Sequence, residues 1–283
     1  MIRDLLLGLG SGLLLSWIGQ RTRLLSRSGA VGLAVATLLT FVAGGWIWGV
    51  LLLLFFVSWG LWTRYRATYK EMLDERFDPQ PRIGASDVGS RVGWAMLLVL
   101  LQIAIKEESR VFFAFAGAIG TATADVWATE LGVLGARPPH LISTGDRVVR
   151  GSAGAISLLG VIASLAASSL IGFAGLLLQM AQIGLVQQTW EGTYNWLPLA
   201  ATLGSTVGCL TDSLLGATAQ AIYYCERCEK RTEDPVHTCG EEATQIRGWP
   251  WLDDRGVDLI SSIVGAAITA GVAIWLAQIS TRW

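Results

Sequence analysis

GAISLLGVIASLAASSLIGFAGLLL, residues Gly154–Leu178, runs for twenty-five positions without one charged side chain. As a helix rising about 1.5 Å per residue it reaches about 37 Å, more than the roughly 30 Å of a bilayer's hydrocarbon core. An uncharged apolar run of this length reads as a transmembrane helix. The rest of the chain agrees. Of 283 residues, 52% are hydrophobic and 15% are Asp, Glu, Lys or Arg, where a soluble domain carries about 25% charged residues. The net charge of −1, from 21 basic and 22 acidic residues, leaves no basic footprint for nucleic acid. The apolar content excludes disorder. What remains is a polytopic membrane protein.

Outward from that segment, further apolar stretches fall at Leu5–Ile18, Ala30–Phe41, Trp46–Trp62, Val92–Ile105, Val111–Leu134, Leu197–Ala219 and Val257–Ile279. Three of them, Leu5–Ile18, Ala30–Phe41 and Val92–Ile105, are short and must borrow flanking residues to cross. The expectation is an all-α transmembrane bundle of about eight spans, with seven as the alternative, forming one integral-membrane domain over residues 1–283. Threading eight helices from an outside N-terminus puts seventeen of the 21 basic residues in the inside loops. These are Arg21, Arg23 and Arg27; Arg64, Arg66, Lys70, Arg76, Arg82 and Arg91; Arg137, Arg147 and Arg150; and Arg227, Lys230, Arg231, Arg247 and Arg255. Arg3, Lys106, Arg110 and Arg282 fall outside. Short cytoplasmic loops collect Lys and Arg, so the long polar loops are expected to be cytoplasmic. No small-residue cleavage site follows the first segment, which is therefore read as an anchor rather than a signal peptide. Trp46, Trp48, Trp59, Trp62, Trp190, Trp196 and Trp283 sit near span ends, as an interfacial belt would place them.

Asp125, Glu130 and Asp212 lie inside expected spans, where an ionisable group is costly and rarely idle. Both aspartates fall on helices running the same way, each seven to ten residues before the inner end. They are therefore expected at similar depth, roughly 10–15 Å in. Small residues precede both, at Gly117–Thr123 and Gly204–Gly208, which permits close helix packing. Paired carboxylates suit Mg²⁺, which binds one or two of them together with substrate phosphates. Structural pairing of each aspartate with an arginine, or a proton or ion pathway, are the alternatives at these positions. Glu130 follows Asp125 by five residues, a different helical face, and is the weaker catalytic candidate.

Between the fifth and sixth spans, Pro138-Pro139 breaks the helix and Ser143-Thr144-Gly145-Asp146-Arg147-Val148-Val149-Arg150-Gly151-Ser152 leads into the next. Backbone N–H groups at a helix N-terminus attract phosphate, and glycine lets it approach them. Arg147 and Arg150 add bidentate contacts. Thr144, Gly145, Arg147, Arg150, Gly151 and Ser152 are the phosphate-binding candidates; an ordinary capped loop is the alternative. The sequence lacks the Gly-Lys-Ser/Thr of a Walker A loop.

The last cytoplasmic loop, residues 220–256, carries Cys225-x2-Cys228-x8-His237-x-Cys239. A Cys-x-x-Cys knuckle with a further His and Cys matches a structural zinc site of the Cys₃His type. All four ligands come from protein, so its role is expected to be bracing. Cys209, inside the seventh span, reads as a small core residue.

Three blocks together resemble an integral-membrane family that includes the plant chloroplast phytyl-phosphate kinase and human transmembrane protein nineteen. They are ATADVWATELG at 122–132, Ser143-Thr144-Gly145 with RGSAG at 150–154, and TDSLLGAT at 211–218. Thr63–Arg66, the Cys/His knuckle and the segment from Trp251 to Ser262 extend the likeness. It covers most of the chain and is most specific from Gly120 to Ser262. This chain carries Asp258 where that family usually has Asn. The resemblance implies phosphorylation of an isoprenyl monophosphate such as phytyl phosphate to the diphosphate by a nucleoside triphosphate, with CTP favoured. In that setting Asp125, Asp212, Glu130 and Arg150 are the catalytic candidates, and Thr129, Ser213, Asp258 and Ser261 are candidates for contacting nucleotide or lipid. Two other readings compete: an ion-coupled transporter using Asp125 and Asp212, and a CTP-dependent lipid cytidylyltransferase. Polar blocks gathered on one face argue against the transporter, since alternating access needs passages to both faces.

Overall fold

The computed structural model describes residues 2–73, 82–105, 108–186 and 192–280. Arg76, Lys106, Trp190, Arg282 and Trp283 of the sequence reading lie outside them. The described helices are α1 (Ile2–Arg21), α2 (Arg27–Leu39, prolonged by a π turn at Thr40–Gly44), α3 (Trp46–Arg64), a short α4 (Ala67–Leu73), α5 (Ala85–Ala104), α6 (Glu108–Gly132), α7 (Leu158–Val186), α8 (Leu197–Thr218) and α9 (Asp254–Ser280). The short apolar stretches gain their missing length from flanking polar residues. In α5 the added turns are Ala85–Arg91, so Arg91 belongs to a span and not to a loop.

Among the described residues, seven helices are long and apolar enough to cross a membrane: α1, α2 with its π turn, α3, α5, α6, α7 and α9. α8 is also long, at 22 residues, but Thr211-Asp212-Ser213 dilutes its apolar character. It lies flush between two of the seven. Ser205 donates to the Gly117 carbonyl of α6 at 3.2 Å, and Ser261 of α9 reaches Asp212 at 3.1 Å. α8 therefore runs parallel to α6 and antiparallel to α9 over the same depth.

Small residues make this possible. A Cβ on Gly204 would stand 2.2 Å from Thr269 Oγ1, and one on Gly265 would stand 1.9 Å from Thr121 Oγ1. Neither clash is tolerable, so the three helices meet backbone to backbone. α6 is the most buried of the seven. On its other side, Trp48 packs against Phe112 and Phe115 with centroids 5.3 and 4.6 Å away. Trp48 and Trp59 are buried in the bundle, so these two do not serve an outer belt. The outward surface shows Leu14, Val35, Leu158, Phe173 and Trp275. A soluble protein does not expose apolar area on that scale, whereas a bilayer covers it.

The connections assigned to one side by the threading do gather at one end of the bundle, the loop face. Arg64 donates to the Thr22 carbonyl, Ser26 to that of Ile83, and Gly154 sits against Ala217. Two small sheets lie there, which the all-α reading lacked. β1 (His140–Leu141) pairs antiparallel with β2 (Ala155–Ile156). In the second sheet, β3 (Ile222–Cys225) lies between β4 (Lys230–Thr232) and β5 (Thr244–Arg247). The apolar run starting at Gly154 is thus divided: its first residues close a hairpin, and the helix begins at Leu158.

Candidate functional site

Four helices converge on a polar centre beneath the loop face. Asp125 lies seven residues before the Gly132 end of α6, and Asp212 six before the Thr218 end of α8. Because these helices run parallel in the register set by Gly117 and Ser205, the two carboxylates stand at matching levels. Between them stand Ser90 and Arg91 from α5, and Asp258 and Ser261 from α9. Arg91 Nη1 donates to Asp125 Oδ2 at 2.6 Å and lies 3.6 Å from Asp258 Oδ1. Its guanidinium also covers the Trp59 ring, 5.2 Å from the centroid. Ser90 donates to the other Asp258 oxygen at 2.9 Å. Ser261 Oγ lies 3.1 Å from Asp212 Oδ2 and 2.9 Å from the Asp258 carbonyl, and its single hydrogen serves one of them at a time.

Three carboxylates facing one guanidinium leave an excess of negative charge where solvation is poor. Such a centre is stable only with further positive charge or protons. It is not sealed, since the Arg91, Asp125 and Asp258 side chains keep 18%, 13% and 9% of their surface. Thr129 is exposed one turn beyond Asp125, and Ser213 is half-buried beside Asp212. Cys209 is buried with Ala124 and Ala167, as a small core residue should be.

Glu130 faces elsewhere. Thr63 donates to its Oε1 at 2.8 Å and Lys70 to its Oε2 at 2.5 Å. Lys70 also donates to the Trp62 carbonyl, so this pair fastens α4 and the end of α3 to α6.

The glycine-rich loop folds as the β1–β2 hairpin, and its candidates separate into two groups. Thr144, Gly145 and Arg147 are exposed at the tip, where Thr144 Oγ1 accepts the Asp146 N–H at 3.3 Å. Arg150, Gly151 and Ser152 are half-buried at the base. There Arg150 Nη2 donates to the Gly135 carbonyl at 2.9 Å. Gly154 has φ +78°, and a Cβ on it would meet the Ala217 nitrogen at 2.3 Å, so only glycine closes the hairpin onto α8. The loop does not hand its N–H groups directly to the next helix. Ser157 caps α7 instead, accepting from Gly160 N–H at 3.1 Å while donating to Gly132.

Cys225, Cys228, His237 and Cys239 bring their ligand atoms within 4.8 Å of one another. Cys225 ends β3, and Cys228 lies in the turn that leads to β4. A second turn, closed by the Val236–Glu242 bridge, carries the other two. Cys225 and Cys239 sulfurs stand 3.7 Å apart, close to the roughly 3.8 Å edge of a tetrahedron with about 2.3 Å metal–sulfur bonds. Donor set and spacing are compatible with zinc. Hydrogen bonding to His237 holds the Cys239 thiol down to about 6, whereas hydrogen bonding to Cys239 pushes Cys228 up to about 11.

Arg91 is the single basic residue of α5, but it lies one position outside the apolar stretch Val92–Ile105, so the sequence pattern places it in a loop. Asp258 entered the sequence reading only as a ligand contact, and its place among the carboxylates depends on the packing of α9 against α5.

Fold and site together define an integral, multi-pass membrane protein with a polar centre sunk beneath one face. The chain belongs to the family described as Integral membrane protein DUF92, whose model matches residues 10–266. Among curated relatives, Protein PGR of Arabidopsis thaliana is 26% identical over 276 residues, covering 93% of this chain and 94% of that one. An uncharacterized membrane protein of Methanocaldococcus jannaschii is 28% identical over 200 residues, 70% of this chain and 76% of its own. A third, from Synechocystis, is 26% identical over 158 residues, 56% and 46% of the two chains. No solved structure matches.

Proposed function

We propose that this protein is a membrane-bound lipid-phosphate kinase, transferring a phosphoryl group from CTP or another nucleoside triphosphate to an isoprenyl monophosphate such as phytyl phosphate. The observation that carries the reading is the matched level of Asp125 and Asp212 on parallel helices, within one polar network under a face rich in arginine and glycine. In this reading the loop face is cytoplasmic and both termini are outside. Asp125 and Asp212 hold Mg²⁺, which when bound neutralises charge on the nucleotide phosphates. Arg147 and Arg150 bind phosphate oxygens. Thr129, Ser213 and Ser261 line the approach. A monophosphate oxygen of the lipid attacks the terminal phosphorus, the bond to the bridging oxygen breaks, and a nucleoside diphosphate leaves. Phosphoryl transfer consists mainly of positioning and charge neutralisation, so a centre of acids around Arg91, beneath a loop face that carries Arg147 and Arg150, is suited to it. The Cys/His cluster, loaded with zinc, braces the face, and its four ligands take no part in the transfer.

Purified protein incubated with Mg²⁺, labelled CTP or ATP and isoprenyl monophosphates tests this: the expected product is the isoprenyl diphosphate. Release of pyrophosphate with a cytidylylated lipid would identify a cytidylyltransferase instead. No turnover with any nucleotide, combined with ion movement across liposomes, would favour a transporter. Orientation is tested separately by cysteine accessibility, where labels near Arg147 should react only from the cytoplasmic side.

A further inference from the structure

Arg247 stands at the junction between the Cys/His loop and α8. It ends β5, and its Nη2 donates to the Gly216 carbonyl in the last turn of α8 at 2.6 Å. Gly216 lies one helical turn past Asp212, about 6 Å further along the axis. Arg150 holds the turn that follows α6, with Nη2 on the Gly135 carbonyl three residues past that helix. Arg247 therefore caps α8, Arg150 braces the turn that follows α6, and the hairpin between β1 and β2 is seated with Gly154 on Ala217.

These carbonyl contacts account for one N–H group of each guanidinium and leave the rest. The Nε atoms of both Arg150 and Arg247 are buried and have no hydrogen-bond acceptor among the described residues. Buried donors are normally satisfied, and those of a charged group most of all. In addition, burial and the like charge of Arg231 on β4 both hold the Arg247 pKa below the ordinary arginine value. Two guanidiniums repelling each other, one with an unmade donor, describe a place short of an anion. Gly248, at φ +83° with a would-be Cβ 1.9 Å from the Gln220 carbonyl oxygen, fixes the backbone beside it. Arginine forks match phosphate oxygens.

We propose that Arg247, with Arg231 beside it, forms a binding subsite for a phosphoester or diphosphate group at the end of α8. The subsite deepens the kinase reading by adding a phosphate ligand from the zinc-knuckle loop. The same chemistry is presented by a nucleotide's phosphates and by a lipid phosphate, and the two are separable by experiment.

Full-length, zinc-loaded protein in detergent is titrated with inorganic pyrophosphate, CTP and an isoprenyl monophosphate, comparing wild type with Arg247→Lys and Arg247→Gln. Arg247→Lys keeps a charged cap for Gly216 and removes the Nε donor. Its affinity for at least one probe should fall about tenfold or more, with zinc content and melting temperature unchanged. Loss confined to CTP and pyrophosphate assigns the subsite to the nucleotide; loss confined to the lipid assigns it to the acceptor. If Arg247→Lys binds every probe as wild type does, or wild type binds none, the subsite does not exist and Arg247 is a helix cap only. Should the Arg247 variants fail to fold, Arg231→Gln, which caps no helix, is read by the same criterion. Pyrophosphate binding that depends on Arg247, without turnover of any isoprenyl phosphate, would uphold the subsite and remove the kinase reading.

Discussion

The Cys/His loop and the aspartate centre are both polar clusters, yet they are assembled in opposite ways. The loop draws four ligands from fifteen consecutive residues, Cys225 to Cys239, on two adjacent turns. The centre draws Arg91, Asp125, Asp212 and Asp258 from four helices separated by tens to more than a hundred residues. In the first, covalent spacing does most of the positioning, and a zinc ion would complete it. In the second, nothing local holds the charges together, and the packing of small residues does so. A loop built that way is expected to fail alone; the centre is expected to fail only with the bundle or with its own charges.

Removing zinc should show the largest effect. Purified protein should carry about one zinc per chain, and structural zinc sites in small peptides are worth on the order of 10 kcal/mol. Chelation or Cys228→Ser should abolish hydrogen-exchange protection across residues 222–247 while α6 and α9 stay protected. Uptake should weaken as pH falls, because zinc takes thiolates and protons compete for them. Collapse of the whole bundle on zinc loss would erase the distinction between the two regions.

Next come the aspartates. Asp125→Asn or Asp212→Asn should lower isoprenyl-phosphate turnover about a thousandfold or more, about 4 kcal/mol of barrier, in protein that still folds. Full activity in both variants would sink the Mg²⁺ assignment. Arg91→Met should cost stability rather than only rate. It leaves Asp125 and Asp258 without their cation, which is worth about 3 kcal/mol for a broken buried pair. Thermal unfolding in detergent should show the loss, and adding Asp125→Asn should recover part of it. An Arg91→Met protein as stable as wild type would mean that the centre is already neutral.

The smallest effect is expected at Glu130. Its partners are Thr63 and Lys70, so Glu130→Gln should loosen the α4 attachment by about 1 kcal/mol and leave turnover within about tenfold. A drop matching that of Asp125→Asn would return Glu130 to the catalytic group.

Length and composition sufficed for what depends on solvent: the bilayer class, the approximate spans and the alternation of basic loops, because each span must satisfy its own backbone and cover itself with apolar groups. The knuckle was legible for a different reason, its ligands being neighbours in the chain. Helix direction and depth also put Asp125 and Asp212 level. The sequence did not reveal that Arg91 stands between Asp125 and Asp258, that Glu130 turns away to Lys70, or that Arg247 reaches Gly216. Those contacts depend on which helix faces which. For α6, α8 and α9 it is decided by Gly204 and Gly265 yielding to Thr269 and Thr121, a close approach that only the packed bundle specifies.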